Sequence, residues 1–488
     1  MVSIAQSTSQ QVKLTDNLIN GKFVRANSHR TFKVYNPALG EPIAKVAESD
    51  TTDVDAAVAA AYDAFNNAWA KFSPRDRANV LYKFADLIEK NAEELATLET
   101  LNNGKPISET TLGDLPLTIA TFRNYAGWAD KIYGDVLPTA SNDNFVYTRK
   151  EPVGVCGQII PWNFPLVHIS WKWGAALATG NTIVFKPAEQ TPLTALRMGE
   201  LALEAGIPPG VINIVNGFGD VGNAIVKHPN VDKISFTGHH KTAQSIMAAA
   251  SQSLKRLTFE LGGKSPNIVY ADADLDAAVL GAIQGIFFNQ GEVCCAGSRL
   301  FIEKSAHDEF VEKFKQKAES RIIGDPLDPK TEQGAQVSKE QYDKILNYIN
   351  IGKKEATCYS GGEPASDTGW FIKPTIFTGV DNHMRIAQEE IFGPVVSVIP
   401  FEKHSDLIAQ ANDSPFGLAA AVWTRDISKA FKISQKIRAG TVWVNCYNTF
   451  DPSAPFGGFK LSGHGRDSGR DSLNSYMETK TVWINTNI

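Results

Sequence analysis

The segment Phe287-Phe288-Asn289-Gln290-Gly291-Glu292-Val293-Cys294-Cys295-Ala296-Gly297 sets a cysteine among small residues just after a glycine-containing turn. A thiol so placed can stand as an exposed nucleophile, and its thiolate is the form that attacks a carbonyl carbon. Cysteine is more commonly a small buried apolar residue, and the local spacing leaves both readings open. Thr258-Phe259-Glu260-Leu261-Gly262-Gly263-Lys264 places a carboxylate in an apolar run ahead of two glycines. Apolar surroundings raise a carboxyl pKa, which suits a general base, whereas pairing with Lys264 would make the same group structural. In Pro161-Trp162-Asn163-Phe164-Pro165, the Asn163 amide is either a donor for a developing oxyanion or a turn residue between prolines.

Groups so far apart in the chain need a frame to bring them together. From Val153 onward, short apolar runs (Val153–Ile160, Thr182–Phe185, Val211–Val215, Lys233–Phe236) alternate with helical stretches (Ser170–Thr179, Pro192–Ala205, Val221–His228). Strand, crossover helix, strand predicts a parallel sheet covered on both faces, with ligands beyond the carboxyl ends of its strands. A second mixed region follows, with helices over Asp308–Ala318 and Lys339–Gly352 and strands over Val395–Pro400, Ala419–Thr424 and Thr441–Asn445. The tail Lys480–Asn487 reads as a terminal strand. Earlier, Ser73-Pro74-Arg75-Asp76 is a helix start, followed by Val80, Leu81, Phe84, Leu87 and Ile88 at three- and four-residue spacings.

Gly217-Phe218-Gly219-Asp220-Val221-Gly222 matches G-x-G-x-x-G after a predicted strand. An ordinary dinucleotide fingerprint needs an acid ~20 residues later at a strand end. Asp232 comes too soon and precedes its strand, so a plain strand-to-helix turn competes with a phosphate loop.

The chain of 488 residues is 43% hydrophobic and 21% charged, enough for two α/β domains with full cores and a small extension. A net charge of −5 argues against a nucleic-acid partner. Five scattered cysteines make no disulfide framework and no zinc spacing, so a reducing compartment and no metal are expected. The polar Met1–Val12 start lacks the features of a secretory or transit signal, and no apolar run approaches a membrane span. The expected location is the cytoplasm.

The set P-W-N-F-P, F-K-P-A-E, F-T-G, E-L-G-G-K-S-P, F-x-N-Q-G-E-x-C, E-E-I-F-G-P and P-F-G-G-F-K-x-S-G, in that order from Pro161 to Gly463, resembles the aldehyde dehydrogenase superfamily. N-P-A-L-G-E-P at Asn36–Pro42 extends the likeness to nearly the whole chain. The resemblance implies an α/β fold with a Rossmann-like cofactor domain (1–130 and 152–262), a catalytic domain (263–465) and a small β arm (131–151 and 476–488) that joins a homodimer or homotetramer. It implies oxidation of an aldehyde to a carboxylic acid through a thiohemiacetal and thioester on Cys294. Asn163 and the Cys294 amide would hold the oxyanion, Glu260 would activate the hydrolytic water, and Lys172 with Glu478 would relay its proton. Glu260 also disfavours a CoA-acylating relative, the closest alternative chemistry.

For the cofactor, the resemblance implies that Lys186 and Glu189 hold the adenosine ribose, which favours NAD while leaving NADP possible. Gly219 would lie near the adenine, and Glu390 and Phe392 at the nicotinamide end. Ile159, Pro161, Trp162, Phe236, Gly238, His239 and Leu261 complete the expected binding set. The substrate tunnel would be apolar, lined by Phe164, His168, Trp171, Phe288, Val293 and Phe450. One departure stands out. Where the family has F-T-G-S-x-x-x-G, this chain has Phe236-Thr237-Gly238-His239-His240-Lys241-Thr242-Ala243. His239 thus replaces a small hydroxyl expected at the diphosphate, the feature that would support a non-catalytic member of the fold.

Overall fold

The parallel core follows from runs that are buried on both faces. Val155–Ile159 and Thr182–Lys186 bury every side chain, as strands sandwiched between helices must. The computed structural model describes residues 12–402 and 406–487. The polar start up to residue 11 lies outside them.

Five parallel strands run in the order Ile212–Ile214, Thr182–Lys186, Val155–Ile159, Lys233–Gly238 and Arg256–Leu261. Antiparallel Asn17–Ile19 and Lys22–Val24 extend one edge, and Gly463–His464 pairs on the other with Arg256–Leu261. In chain order the parallel strands read 3-2-1-4-5 across the sheet. The order reverses between Val155–Ile159 and Lys233–Gly238, the switch point at which doubly wound sheets open a crevice.

The helices behave as their sequences require. Pro74–Lys90 is capped by Ser73 and Asp76 reciprocally, a contribution of ~1 kcal/mol, and buries Ala78, Leu81, Phe84, Ala85 and Ile88. Pro165–Ala178 begins five residues earlier than its hydrophobic pattern suggests, because Pro165 is preset for a first helical turn. Every side chain of this helix is buried, Lys172 included.

A second sheet of seven strands has six parallel members: Thr375–Thr378, Val395–Phe401, Arg299–Glu303, Pro266–Val269, Ala419–Trp423 and Thr441–Val444. Thr357–Ser360 closes one edge antiparallel. Met477–Asn485 lies antiparallel to Asn144–Pro152 over nine residue pairs, with Val136–Leu137 beyond, forming a separate three-stranded sheet. Among the described residues no helix is long and apolar enough to cross a membrane.

Candidate active site

A cavity of about 360 Å³ opens at the switch point of the first sheet. Ile159, Pro161, Trp162, Lys186, Glu189, Gly219, Phe236 and Gly238 all line it. Gly222 lines it too, so the glycine turn serves the groove even though its acid is misplaced. The buried Lys186 ammonium lies 3.4 Å from Glu189 Oε2 and donates to the Pro187 carbonyl at 3.1 Å. At the other end, the Trp162 and Phe392 rings meet edge to face at 5.3 Å. Leu261 ends the neighbouring strand, next to Glu260. Glu390 Oε1 accepts from the Gly263 amide at 2.9 Å, and burial raises its pKa. A side chain at Gly262 would bring Cβ to 2.1 Å from Glu390 Oε1, so only glycine admits this carboxylate.

His239 caps the helix His240–Ala250, its Nδ1 accepting from the Lys241 amide at 3.3 Å. Its ring lies 4.2 Å from that of His240. Burial, with His240, Lys344 and Lys241 nearby, pushes its pKa down to about 4, so the imidazole is neutral at ordinary pH. A helix end offers free amides to an anion. His239 adds bulk and a ring N–H there, but no charge.

Cys294 follows an unusual turn. Asn289 (φ 45°), Gln290 (φ 52°) and Gly291 (φ 78°) are left-handed in succession. For a non-glycine residue that conformation costs ~1–2 kcal/mol. Hydrogen bonds hold it: Asn289 Nδ2 donates to the Asn163 and Glu292 carbonyls at 2.9 and 3.2 Å. Asn163 Nδ2 also donates to the Glu292 carbonyl, at 3.0 Å, and so keeps a second N–H available. His168, buried and held neutral by that burial, places Nε2 3.2 Å from Asn163 Oδ1. Donation from Nε2–H there fixes the Asn163 amide with its NH₂ toward the cysteine turn.

Cys294 shares a hydrogen bond with the adjacent Cys295 thiol, and this with burial holds its pKa well above the ordinary range. Glu260 is 5% exposed, and neither carboxylate oxygen has a hydrogen-bond partner. Burial, then the charge of Asp467, raises its pKa well above normal, and Cys294 lies near enough to add to the effect. A buried orphan carboxylate is costly unless it has a task. Behind it, Lys172 Nζ contacts Asp467 Oδ2 at 3.0 Å and Ser235 Oγ at 3.1 Å, all three groups buried.

A second cavity, about 490 Å³, leads to Cys294 and Cys295. Phe164, His168, Trp171, Phe288, Val293 and Phe450 all line it. The Phe164 and Phe288 rings stack at 6.0 Å, and Trp171 lies 6.3 Å from Phe450. Leu112, Gly113, Asp114 and Leu117, at the turn of the helix ending at Trp128, form part of its wall.

Residues 23–482 match the model of the aldehyde dehydrogenase family. The chain belongs to that family. It is 52% identical to human retinal dehydrogenase 2, covering 97% of this chain and 92% of the relative. It is also 52% identical to the human mitochondrial aldehyde dehydrogenase, covering 98% and 94%. The structure of an aldehyde dehydrogenase from Bacillus cereus in complex with NAD+ superposes with a TM-score of 0.96, at 49% identity over 99% of each chain. The enzyme therefore oxidises aldehydes to carboxylic acids with a nicotinamide dinucleotide, on two parallel α/β sheets, the first Rossmann-like.

One expectation about this aldehyde dehydrogenase is corrected. Glu478 does not stand behind Glu260. It lies on the outer strand Met477–Asn485, half exposed, and accepts from Arg256 Nε at 2.8 Å. Asp467 is the acid that reaches Lys172. Its backbone is fixed by two 2.8 Å hydrogen bonds with Phe456. Sequence reading also missed Gln341, which donates to the Phe392 carbonyl at 2.6 Å, and Lys344, whose charge acts on Glu390. Both lie on the helix Lys339–Glu355, whose amphipathic pattern says nothing of what its ends approach. Asp467 lies four residues past the end of the last glycine-rich motif at Gly463, a signal that could have been used.

Proposed function

We propose that Cys294 is the nucleophile, Asn163 the oxyanion donor and Glu260 the general base of this dehydrogenase. The observation that supports the reading best is the orphan Glu260 carboxylate, buried near Cys294, which itself lines the apolar cavity. The Cys294 thiolate adds to the aldehyde carbon, forming the C–S bond as the carbonyl electron pair moves to oxygen. Asn163 Nδ2–H and the Cys294 amide donate to that oxygen; losing one such donor costs ~3 kcal/mol. Bound dinucleotide supplies the acceptor for the hydride that leaves the same carbon. Lys186 and Glu189 would hold its adenosine ribose, His239 would face its diphosphate, and Glu390 and Phe392 its nicotinamide end. Glu260 then takes a proton from the water that adds to the thioester carbon, the C–S bond breaks to release the acid and the Cys294 thiolate, and Lys172 with Asp467 drains that proton. Both Cys294 and Glu260 have raised pKa values, so their reactive, deprotonated forms grow as pH rises and activity climbs toward alkaline pH.

The Glu189 carboxylate supports NAD over NADP, since it would accept from two ribose hydroxyls and repel a 2′-phosphate. The aromatic lining supports bulky apolar aldehydes, aliphatic, aromatic or long-chain, in keeping with a relative named for retinal. The same reading divides the chain into the cofactor, catalytic and arm segments given above, with the arm joining a homodimer or homotetramer. Five free cysteines fit a cytoplasmic location.

The test is NADH and NADPH formation from short, aromatic and long-chain aldehydes, with a Cys294→Ser control. Wild type should reduce NAD preferentially and the control should be silent. Turnover by the control would overturn the thiol mechanism; equal use of NADPH would overturn the Glu189 argument.

A further inference from the structure

Glu109 lies far from the motifs and outside the machinery described so far. It ends the short helix Ile107–Glu109, directly ahead of the widened turn Thr110–Asp114. That turn supplies Leu112, Gly113 and Asp114 to the mouth of the apolar cavity. In the opposite direction, Glu109 Oε2 accepts from the Asn289 amide at 2.9 Å. Asn289 is the first of the three left-handed residues ahead of Cys294, and its side chain grips the Asn163 carbonyl. One carboxylate therefore links the segment that lines the cavity mouth to the left-handed turn ahead of Cys294, whose Asn289 side chain holds the Asn163 carbonyl.

We propose that Glu109 is a positioning residue that latches the Asn289–Gly291 turn and couples the shape of the substrate mouth to the placement of Asn163 and Cys294. Asparagine tolerates a left-handed backbone, and the Asn289 side chain holds the turn through the Asn163 and Glu292 carbonyls, while its backbone amide is fixed by the Glu109 carboxylate; Gln290 has no such local preference. The carboxylate is suited to the task. Burial pushes its pKa up to about 8, against Arg321, the Asn289 amide and Lys105, while Asp114 adds to the rise. Those neighbours are themselves engaged: Lys105 with Asp114 at 2.6 Å and Glu99 at 3.6 Å, and Arg321 with the Phe287 carbonyl at 3.3 Å. A hydrogen bond to an ionised acceptor is stronger than one to a neutral acceptor. The latch therefore tightens as pH rises through about 8 and slackens below it.

The inference rests on Cys294 as nucleophile, and the experiment keeps the two apart. Single-turnover NADH formation reports attack and hydride transfer without hydrolysis, and is measured from pH 6.5 to 9.5 in wild type, Glu109→Gln, Glu109→Ala and Cys294→Ala. Glu109→Gln keeps an acceptor without the charge. Its rate should lie within twofold of wild type at pH 7 and fall three- to tenfold behind at pH 9. Glu109→Ala should be at least tenfold slow throughout, with NAD affinity by fluorescence titration within twofold of wild type. Coincident profiles for wild type and Glu109→Gln overturn the latch, as does a folded Glu109→Ala enzyme with an unchanged rate. If Glu109→Ala fails to fold, the Glu109→Gln profile alone decides. Turnover by Cys294→Ala would instead overturn the nucleophile assignment.

Discussion

Lys172 is fully buried, and a buried ammonium persists only with a partner at hydrogen-bond distance. Asp467 meets that requirement at 3.0 Å, whereas Glu478 is spent on Arg256 at the surface. The two acids should respond differently to neutralisation. Asp467→Asn removes the charge that sustains the buried Lys172 ammonium behind Glu260, so hydrolysis of the thioester should slow by tenfold or more while the single-turnover phase is nearly retained. Glu478→Gln removes an exposed pair worth ~0–1 kcal/mol and should leave both phases near wild type. Rapid-mixing NADH traces separate the phases, and a slow steady state in Glu478→Gln with a normal one in Asp467→Asn would reverse the assignment. Aspartate as a residue type was visible at position 467 from the outset. Its role was not, because which of two nearby acids faces inward depends on how the chain returns to the first sheet at Gly463–His464.

At the scale of elements, the helix His240–Ala250 shows how one substitution changes a binding end without changing the helix. His239 caps it through Nδ1, a role that serine fills equally well. What histidine adds is volume beside the groove, and its neutral ring contributes no attraction for phosphate. His239→Ser should therefore tighten NAD binding several-fold with kcat little changed, read by fluorescence titration. With a pKa of about 4, wild-type affinity should owe no pH dependence to His239 between pH 6 and 9. Weaker binding by the serine variant would mean instead that the imidazole N–H serves the diphosphate. Four of the five parallel strands of the first sheet were legible as short apolar runs, whereas Arg256–Leu261, half exposed at its start, and the antiparallel edge strands were not. Some ends of the predicted elements held and others moved by up to five residues, furthest where Pro165 starts its helix.

The whole molecule leaves apolar side chains exposed on its three-stranded sheet. Val136, Phe145, Trp483 and Ile484 are 67%, 45%, 63% and 45% exposed there. Met477–Asn485 is also an edge strand with unpaired backbone groups. Exposed apolar edges of this kind ordinarily pair with another chain. Trp483→Glu should accordingly shift the protein toward monomer in light scattering coupled to size exclusion, while each monomer stays folded. A wild-type protein that already runs as a monomer would refute the arm's assignment.

By itself, the sequence determined the chemistry-bearing residue types, their motifs and the alternation of buried strands and helices, because these depend on neighbours within a few residues. It also indicated a ligand groove beyond the carboxyl ends of the first sheet's parallel strands. Tertiary structure alone decided which acid backs Glu260, what holds the left-handed turn before Cys294, and which helix brings Gln341 to Phe392 and Lys344 toward Glu390. Each of these is a contact between segments far apart in the chain. Side-chain direction there is set by the packing of whole elements, and local pattern carries no record of it.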